Sequence, residues 1–373
     1  MSYSPKTKRA DGSIHVLVVD DSAVVRQVMQ GVLSADPKIK VSVAADPIIA
    51  FSKMEKETPD VVITDLVMPR MDGLTFLRKI MAERPLPVIV CSEVAHRRTE
   101  EAISALELGA VEVITKPKLG VREFLHESGV MLIDVVRSAA QAKLTPARFL
   151  PVAPRNAADV VLRLGPVSRH QPTGDKVIAI GASTGGTEAI REFLQAMPAE
   201  CPGIVIVQHM PEVFTRAFAE RLNRDCTIEV KEASDGDRIL SGRALIAPGN
   251  HHLLVQRSEF GCLAQVREGP LVSRHRPSVD VLFRSVAKSM GPNSVGVIMT
   301  GMGSDGAQGL LEMRNCGALT IAQDEASCVV FGMPKEAIAR NAVVSVVPLR
   351  RLAETALKMV NAGQSTFSVD TSH

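Results

Sequence analysis

The sequence predicts an α/β protein in two parts: an N-terminal five-stranded parallel sheet, a linker, and a C-terminal doubly wound, mostly parallel sheet carrying an antiparallel hairpin. Three observations carry this. The 373 residues exceed what one typical hydrophobic core organises. Apolar strand-like runs alternate with amphipathic helical stretches, the rhythm of strands joined by crossover helices. A proline-rich stretch without sustained periodicity divides the alternation into two halves.

In the first half, HVLVVDD, KVSVAAD, DVVITDL, LPVIVCS and VEVITKP are strand candidates. VVRQVMQGVL and LTFLRKIMAE have helical spacing between them, and REFLHESGVMLIDVVRSAAQA reads as the helix that closes the domain. These elements bound a domain over residues 14–138. Residues 139–175 form the linker, with Pro146, Pro151, Pro154, Pro166 and Pro172 and a short helical pattern at AADVVLRL. A second domain over residues 176–362 supplies KVIAIGAS, PGIVIVQH, CTIEVKE, NSVGVIMTG, ALTIAQD and AVVSVVP as strands. The insertion RALIAPGNHHLLVQRSEFGCLAQVREGP has turn signals at Pro248-Gly249-Asn250 and Glu259-Phe260-Gly261, which suggest antiparallel hairpins attached to the sheet.

The bulk numbers exclude several classes. Forty-three basic against 41 acidic side chains leave a formal +2, so no global field draws the chain to nucleic acid. One Tyr and no Trp also argue against a base-stacking surface. No apolar run reaches membrane-spanning length, so no membrane insertion is expected. The polar start MSYSPKTKRADGS lacks a signal-peptide core. Six scattered cysteines with no C-x-x-C pair read as buried reduced thiols, and the expected location is cytoplasmic.

Functional groups of a parallel sheet collect at the carboxyl ends of its strands. In the first half those ends carry Asp20, Asp21, Asp65, Ser92 and Lys116. Any one of them alone is an ordinary cap or turn residue. Converging, three carboxylates favour a hard divalent cation such as Mg²⁺, and the lysine suits a phosphoryl oxygen, which together point to phosphate transfer onto a carboxylate. The order DDS, TDLVMPRMDG, CS, TKP resembles the flavodoxin-like receiver domain of bacterial response regulators over roughly residues 14–137. That resemblance implies Asp65 as phospho-acceptor, and Asp20, Asp21, Asp65 and the Val67 carbonyl as Mg²⁺ ligands. It makes Ser92 the switch hydroxyl and Lys116 the phosphate-pairing lysine. Val113 stands where receivers often carry an aromatic residue, and Glu93 follows Ser92 where a small or apolar residue is usual.

In the second half, VIAIGASTGG places Ser183 at a strand exit beside glycines. The letters allow a nucleotide-cradling loop, a nucleophile or a plain turn. The loop is not G-x-G-x-x-G, lacks Gly-Lys-Ser/Thr, and the following strand ends in Gln208-His209 rather than an acid, so the dinucleotide reading is disfavoured. GASTG does satisfy G-x-S-x-G, the elbow that exposes a serine hydroxyl at a helix start. His209 at the end of the adjacent strand could serve as base, and Asp305 in GMGSDGAQGL could orient it. Each of those alone is as readily structural. The order Ser-His-Asp differs from that of α/β-hydrolases. His251 and His252 fall in a hairpin where alternation puts one inward and one outward, and His275 lies in a polar segment lining a groove or simply solvated.

IGASTGG, VQHM, APGNHH, RHRPSVDVLF, MTGMGSDGAQGL and ASCVVFGMP closely resemble the catalytic domain of the CheB family of chemotaxis methylesterases, over about residues 176–360. This resemblance implies a cytoplasmic hydrolase that demethylates glutamate methyl esters, and deamidates glutamines, on the cytoplasmic helices of methyl-accepting chemoreceptors. Ser183 is then nucleophile, His209 general acid/base and Asp305 its orienting partner, with Thr184 and Met302 N–H groups as candidate oxyanion donors and no metal needed in that half. A CheA-type histidine kinase is the implied phosphodonor, and phosphorylation of Asp65 would relieve inhibition by the receiver. Two other readings compete: a phosphorylation-dependent binding module without turnover, and an esterase of small substrates.

Overall fold

A computed structural model describes residues 12–92, 96–116, 122–143, 176–259 and 261–362. The predicted linker beyond residue 143, including AADVVLRL, and Glu93 lie outside the described residues, as does Phe260.

The N-terminal sheet contains β1 (Ile14–Val19), β2 (Ile39–Ala44), β3 (Val61–Asp65), β4 (Val88–Ser92) and β5 (Glu112–Thr115). They lie in the order β2-β1-β3-β4-β5, and every pair is parallel. β1, β3 and β4 are almost wholly apolar because helices cover both of their faces. The helices are α1 (Ala23–Leu33), α2 (Pro47–Lys56), α3 (Gly73–Glu83), α4 (His96–Glu107) and α5 (Arg122–Gln141). Their starts are set locally. Ser22, Asp46 and Asp72 each accept backbone N–H groups of the following first turn. Val113, at the position where an aromatic residue was expected from the resemblance, is buried in this domain's core.

The C-terminal sheet has seven strands, in the order β14-β13-β12-β6-β7-β9-β8, all parallel. They are β6 (Val177–Ala182), β7 (Gly203–Gln208), β8 (Glu229–Glu232), β9 (Arg243–Ile246), β12 (Ser294–Ile298), β13 (Leu319–Gln323) and β14 (Ser345–Val347). The expectation for the insertion needs correction. Its first segment, RALI, is β9, which enters the main sheet between β7 and β8 rather than forming a hairpin. Four residues alternating into the core of a parallel sheet carry too little pattern to be told from a hairpin arm. Among the described strands only β10 (His252–Ser258) and β11 (Gly261–Arg267) form an antiparallel ladder, as a separate two-stranded sheet.

The covering helices are α6 (Gly186–Gln195), α7 (Glu212–Asp225), α8 (Val279–Met290), α9 (Ala307–Asn315), α10 (Met333–Ala339) and α11 (Leu349–Ala362). β6 and β12 are central and β7 flanks β6, so the carboxyl ends of three neighbouring strands open on one rim. All six thiols are free, and Cys91, Cys201, Cys262 and Cys328 are buried. Among the described residues no helix is long and apolar enough to cross a membrane.

The two domains pack on one another. A single apolar cluster runs from Leu77, Val90 and Ile103 to Phe193, Phe218 and Leu222. Polar contacts frame it: Arg221 pairs with Glu107, Asp134 with Arg274 at 3.3 Å, and the Lys143 N–H donates to the Val329 carbonyl at 3.0 Å.

Candidate active site and phosphorylation pocket

The turn after β6 is shaped by what surrounds it. Ser183 N–H donates to Thr300 O at 3.0 Å, tying the elbow to the end of β12, and Gly186 N–H closes a tight turn onto Ser183 O at 2.7 Å. Gly185 caps α6 in the left-handed region at φ +76°, where a Cβ would also meet Val329 at 2.5 Å, so glycine is required twice over. The N-terminus of α6 therefore points its free amides and positive dipole end toward the position of the Ser183 hydroxyl. Among the described residues no carbonyl takes the backbone N–H of Thr184 or of Met302, the two amides proposed as oxyanion donors.

β7 runs parallel to β6 with Ala182 opposite Gln208, and His209 N–H donates to Ala182 O at 3.1 Å. That register puts Ser183 and His209 side by side at the rim. The buried Gln208 side chain fixes both: its Nε2 donates to Ser183 O at 2.9 Å and to His209 O at 3.1 Å. Sequence reasoning used Gln208 only to disfavour a dinucleotide site and missed this bracket. A Gln208→Leu change takes one of two donors from the buried Ser183 O and the amide donor from the part-buried His209 O, a loss of order 1–3 kcal/mol. The expected outcome is a lower denaturation midpoint together with a reduced kcat at nearly unchanged KM, read by denaturant titration and steady-state kinetics.

Asp305, 2% exposed, collects four donors. Oδ1 accepts the Ser278 hydroxyl at 2.7 Å and Asp280 N–H at 3.0 Å; Oδ2 accepts Val279 N–H at 2.8 Å and lies 2.8 Å from His209 Nε2. Burial alone would raise its pKa, but His209 and these donors outweigh it and hold the carboxyl down at about 2. An ionised Asp305 requires His209 to donate from Nε2. This assigns the lone pair to Nδ1, which is buried and has no other partner among the described residues. Nδ1 is thus the ring nitrogen left to accept a proton. No hydrogen bond joins the Ser183 hydroxyl to the imidazole in this state, although backbone register has brought the two residues together.

His275 is the largest surprise. Its ring stacks on that of His209, with centroids 3.7 Å apart and planes 4° apart. Burial first, and His209 second, push its pKa down to about 4, so it is neutral near pH 7. Its Nδ1 donates to Ser273 O at 2.7 Å. His209, His275 and Asp305 bring ligand-type atoms within 4.8 Å of one another. Parallel stacked rings, however, do not aim their in-plane lone pairs at one point, and the arrangement suits holding the His209 ring in place. His252 is structural: Ser278 N–H donates to its Nδ1 at 3.3 Å and its Nε2 donates to Pro270 O at 2.9 Å. It is buried and His251 half-buried, as alternation suggested.

At the N-terminal rim, Asp20 and Asp65 are buried and Asp21 is exposed, with oxygens of all three within 4.8 Å of one another. Lys116 Nζ bridges Asp65 Oδ2 at 2.8 Å and Asp20 Oδ2 at 3.0 Å. Leu66 N–H and Ser22 N–H orient the Asp65 and Asp20 carboxylates at 2.7 and 2.8 Å. Burial raises the Asp20 pKa despite Lys116. One lysine therefore does not fully compensate the pocket's negative charge, and an all-oxygen set of this kind fits a hard divalent cation. Ser92 is buried at the end of β4, and Val67, whose carbonyl was the further expected ligand, follows Leu66 on the exposed rim.

Comparison with known proteins agrees with both halves. Residues 178–356 match the family model described as CheB methylesterase, and residues 16–127 the one described as response regulator receiver domain. The chain is 56% identical over 350 residues to protein-glutamate methylesterase/protein-glutamine glutaminase 3 of Geobacter metallireducens, covering 93% of this chain and 99% of that protein. It is also 56% identical over 361 residues to protein-glutamate methylesterase/protein-glutamine glutaminase 2 of Rhodospirillum rubrum, with coverages of 93% and 99%.

Proposed function

Because the chain belongs to the CheB methylesterase family and joins that domain to a receiver, we propose that it is a phosphorylation-regulated hydrolase of glutamate methyl esters, and of glutamine side-chain amides, on chemoreceptor cytoplasmic helices. The observation that carries the catalytic part is the His209 bracket. Asp305 holds Nε2 from the edge of the ring at 2.8 Å and His275 holds the ring by its face.

Ser183 attacks the glutamyl carbonyl while His209 Nδ1 takes its proton, and the Asp305 carboxylate stabilises the imidazolium that forms. The developing oxyanion is received by the Thr184 and Met302 N–H groups at the start of α6 and in the GMG turn. His209 returns the proton to the leaving group, which departs as methanol from an ester or ammonia from an amide. Water then attacks the acyl-enzyme with His209 again as base, which frees the Ser183 hydroxyl and leaves the receptor side chain as a glutamate carboxylate.

In the receiver, Asp65 is the acceptor of a phosphoryl group from a CheA-type kinase. Asp20, Asp21, Asp65 and the Val67 carbonyl would hold Mg²⁺, which when bound neutralises negative charge at the pocket. Lys116, now shared by two carboxylates, is placed to pair with a phosphoryl oxygen, and Ser92 to hydrogen-bond to another. The docked packing, in which Ser138 of the receiver bonds to Thr184 beside the nucleophile, is the inhibited state, and phosphorylation releases it. Asp65→Asn tests this: basal activity is expected to persist, while stimulation by a small phosphodonor with Mg²⁺ disappears. Stimulation that survives in the variant would contradict the assignment.

A further inference from the structure

The two domains are joined by a buried polar cluster as well as by apolar surface. Glu112 opens β5, and its carboxyl is buried in the docked arrangement, 8% exposed. It accepts its neighbour's backbone amide, Val113 N–H, at 3.3 Å, and Thr184 of the other domain lies beside it, its hydroxyl favouring the ionised carboxyl. The Ser138 hydroxyl of α5 donates in turn to Thr184 Oγ1 at 2.8 Å. Ser138 and Thr184 are 1% and 3% exposed. Ser138, Thr184 and Glu112 therefore meet at the domain boundary, with Ser138 bonded to Thr184, the residue next to the nucleophile.

We propose that Glu112 is a proton-linked latch: docking of the receiver on the catalytic elbow keeps this carboxyl protonated, and its ionisation favours separation of the two domains. The inference rests on the reading above that the docked state is the inhibited one.

A carboxyl that gives up water for one hydroxyl and one amide is poorly compensated as an anion. Burial pushes the Glu112 pKa up to about 8, against the smaller opposing pull of Val113 N–H and the Thr184 hydroxyl. No charged group among the described residues offsets this. Lys116, at the far end of β5, is held by Asp20 and Asp65. On α5, Arg137 is paired with Asp36 and Asp134 with Arg274. Lys143 is paired with Glu325, and β4 brings the apolar Ile89 opposite Glu112.

When the domains part, Glu112 becomes solvated and returns to the ordinary carboxylate range. The docked form then binds one proton more than the open form between that range and about pH 8. The raised pKa belongs to the docked form, so docking is fully favoured at low pH. It weakens up to about tenfold per unit as the pH rises toward 8. β5 also links the two switches mechanically: the lysine of the phosphorylation pocket sits beyond one end of this four-residue strand and the latch carboxyl at the other.

The test uses the full chain without phosphodonor, from pH 5.5 to 8.5, as wild type, Glu112→Gln and Ser138→Ala, with a parallel wild-type series given phosphodonor and Mg²⁺. Glutamine keeps the shape but cannot ionise. The ratio of wild-type to Glu112→Gln methylesterase activity is expected to rise with pH, by up to about tenfold per unit, and this ratio cancels the pH dependence of the chemical step that both proteins share. Amide exchange of residues 183–195, corrected for its intrinsic pH dependence, is expected to rise in wild type and stay flat in the glutamine variant. Ser138→Ala, which loosens the contact but keeps the titrating group, is expected to raise basal activity at every pH while retaining the wild-type slope. A flat activity ratio, with wild type still stimulated by phosphodonor, would overturn the latch alone. Absence of phosphodonor stimulation would overturn the inhibition reading and the latch with it.

Discussion

Replacing Ser183 with alanine is expected to lower kcat for ester hydrolysis by roughly 10⁶, with substrate binding retained. The magnitude follows from the role: without the hydroxyl there is no acyl-enzyme, and what remains comes from the oxyanion donors and from binding. The fold should tolerate the change. Ser183 is held through its main chain, by Thr300 O, Gly186 N–H and the Gln208 amide, none of which involves Oγ. Methanol release paired with calorimetric binding of a methylated receptor fragment separates the two effects. Binding without turnover in wild type as well would turn the protein into a phosphorylation-dependent binding module.

Asp305→Asn is expected to cost roughly 10⁴ in kcat. The asparagine amide keeps the shape, but its NH₂ favours a lone pair on His209 Nε2 and moves the ring proton to Nδ1, the nitrogen that must receive the Ser183 proton. It also weakens a carboxylate that now accepts Ser278 Oγ, Val279 N–H and Asp280 N–H, so a stability loss should accompany the kinetic one. The wild-type carboxyl is held at about 2. Because its folded pKa is depressed below the usual 3.8, its stabilisation is complete above that value and is lost as the pH falls through 2. Acid unfolding of wild type should show a loss of order 2 kcal/mol across that window, absent from the asparagine variant. Equal acid profiles would contradict the charge-based role.

Much of the fold was legible because parallel strands buried on both faces leave continuous apolar runs, and because parallel sheets gather functional groups at strand ends. That rule placed Asp20, Asp65 and Lys116 together, and independently Ser183, His209 and Asp305. What stayed hidden depends on long-range contact. β9 is four residues long and looked like part of a hairpin. Gln208 carried a signal in its position beside His209, but only the parallel register reveals that its amide reaches two carbonyls. His275 stacks on His209 across 66 residues of chain through a loop with no periodic pattern. Glu112 stood unremarked in the strand VEVITKP, since a strand pattern does not show that a carboxyl at its start is buried. Packing of the receiver against the catalytic domain was considered from the two fused sites; the Ser138–Thr184 hydrogen bond between them was not.

The most direct measurement is methanol release from a methylated chemoreceptor cytoplasmic fragment, with and without a small phosphodonor and Mg²⁺, by wild type, Ser183→Ala and Asp65→Asn side by side. The account requires release by wild type that rises with phosphodonor, no release by Ser183→Ala, and unstimulated basal release by Asp65→Asn. Release that is unaffected by Ser183→Ala, or stimulation that persists in Asp65→Asn, would contradict it.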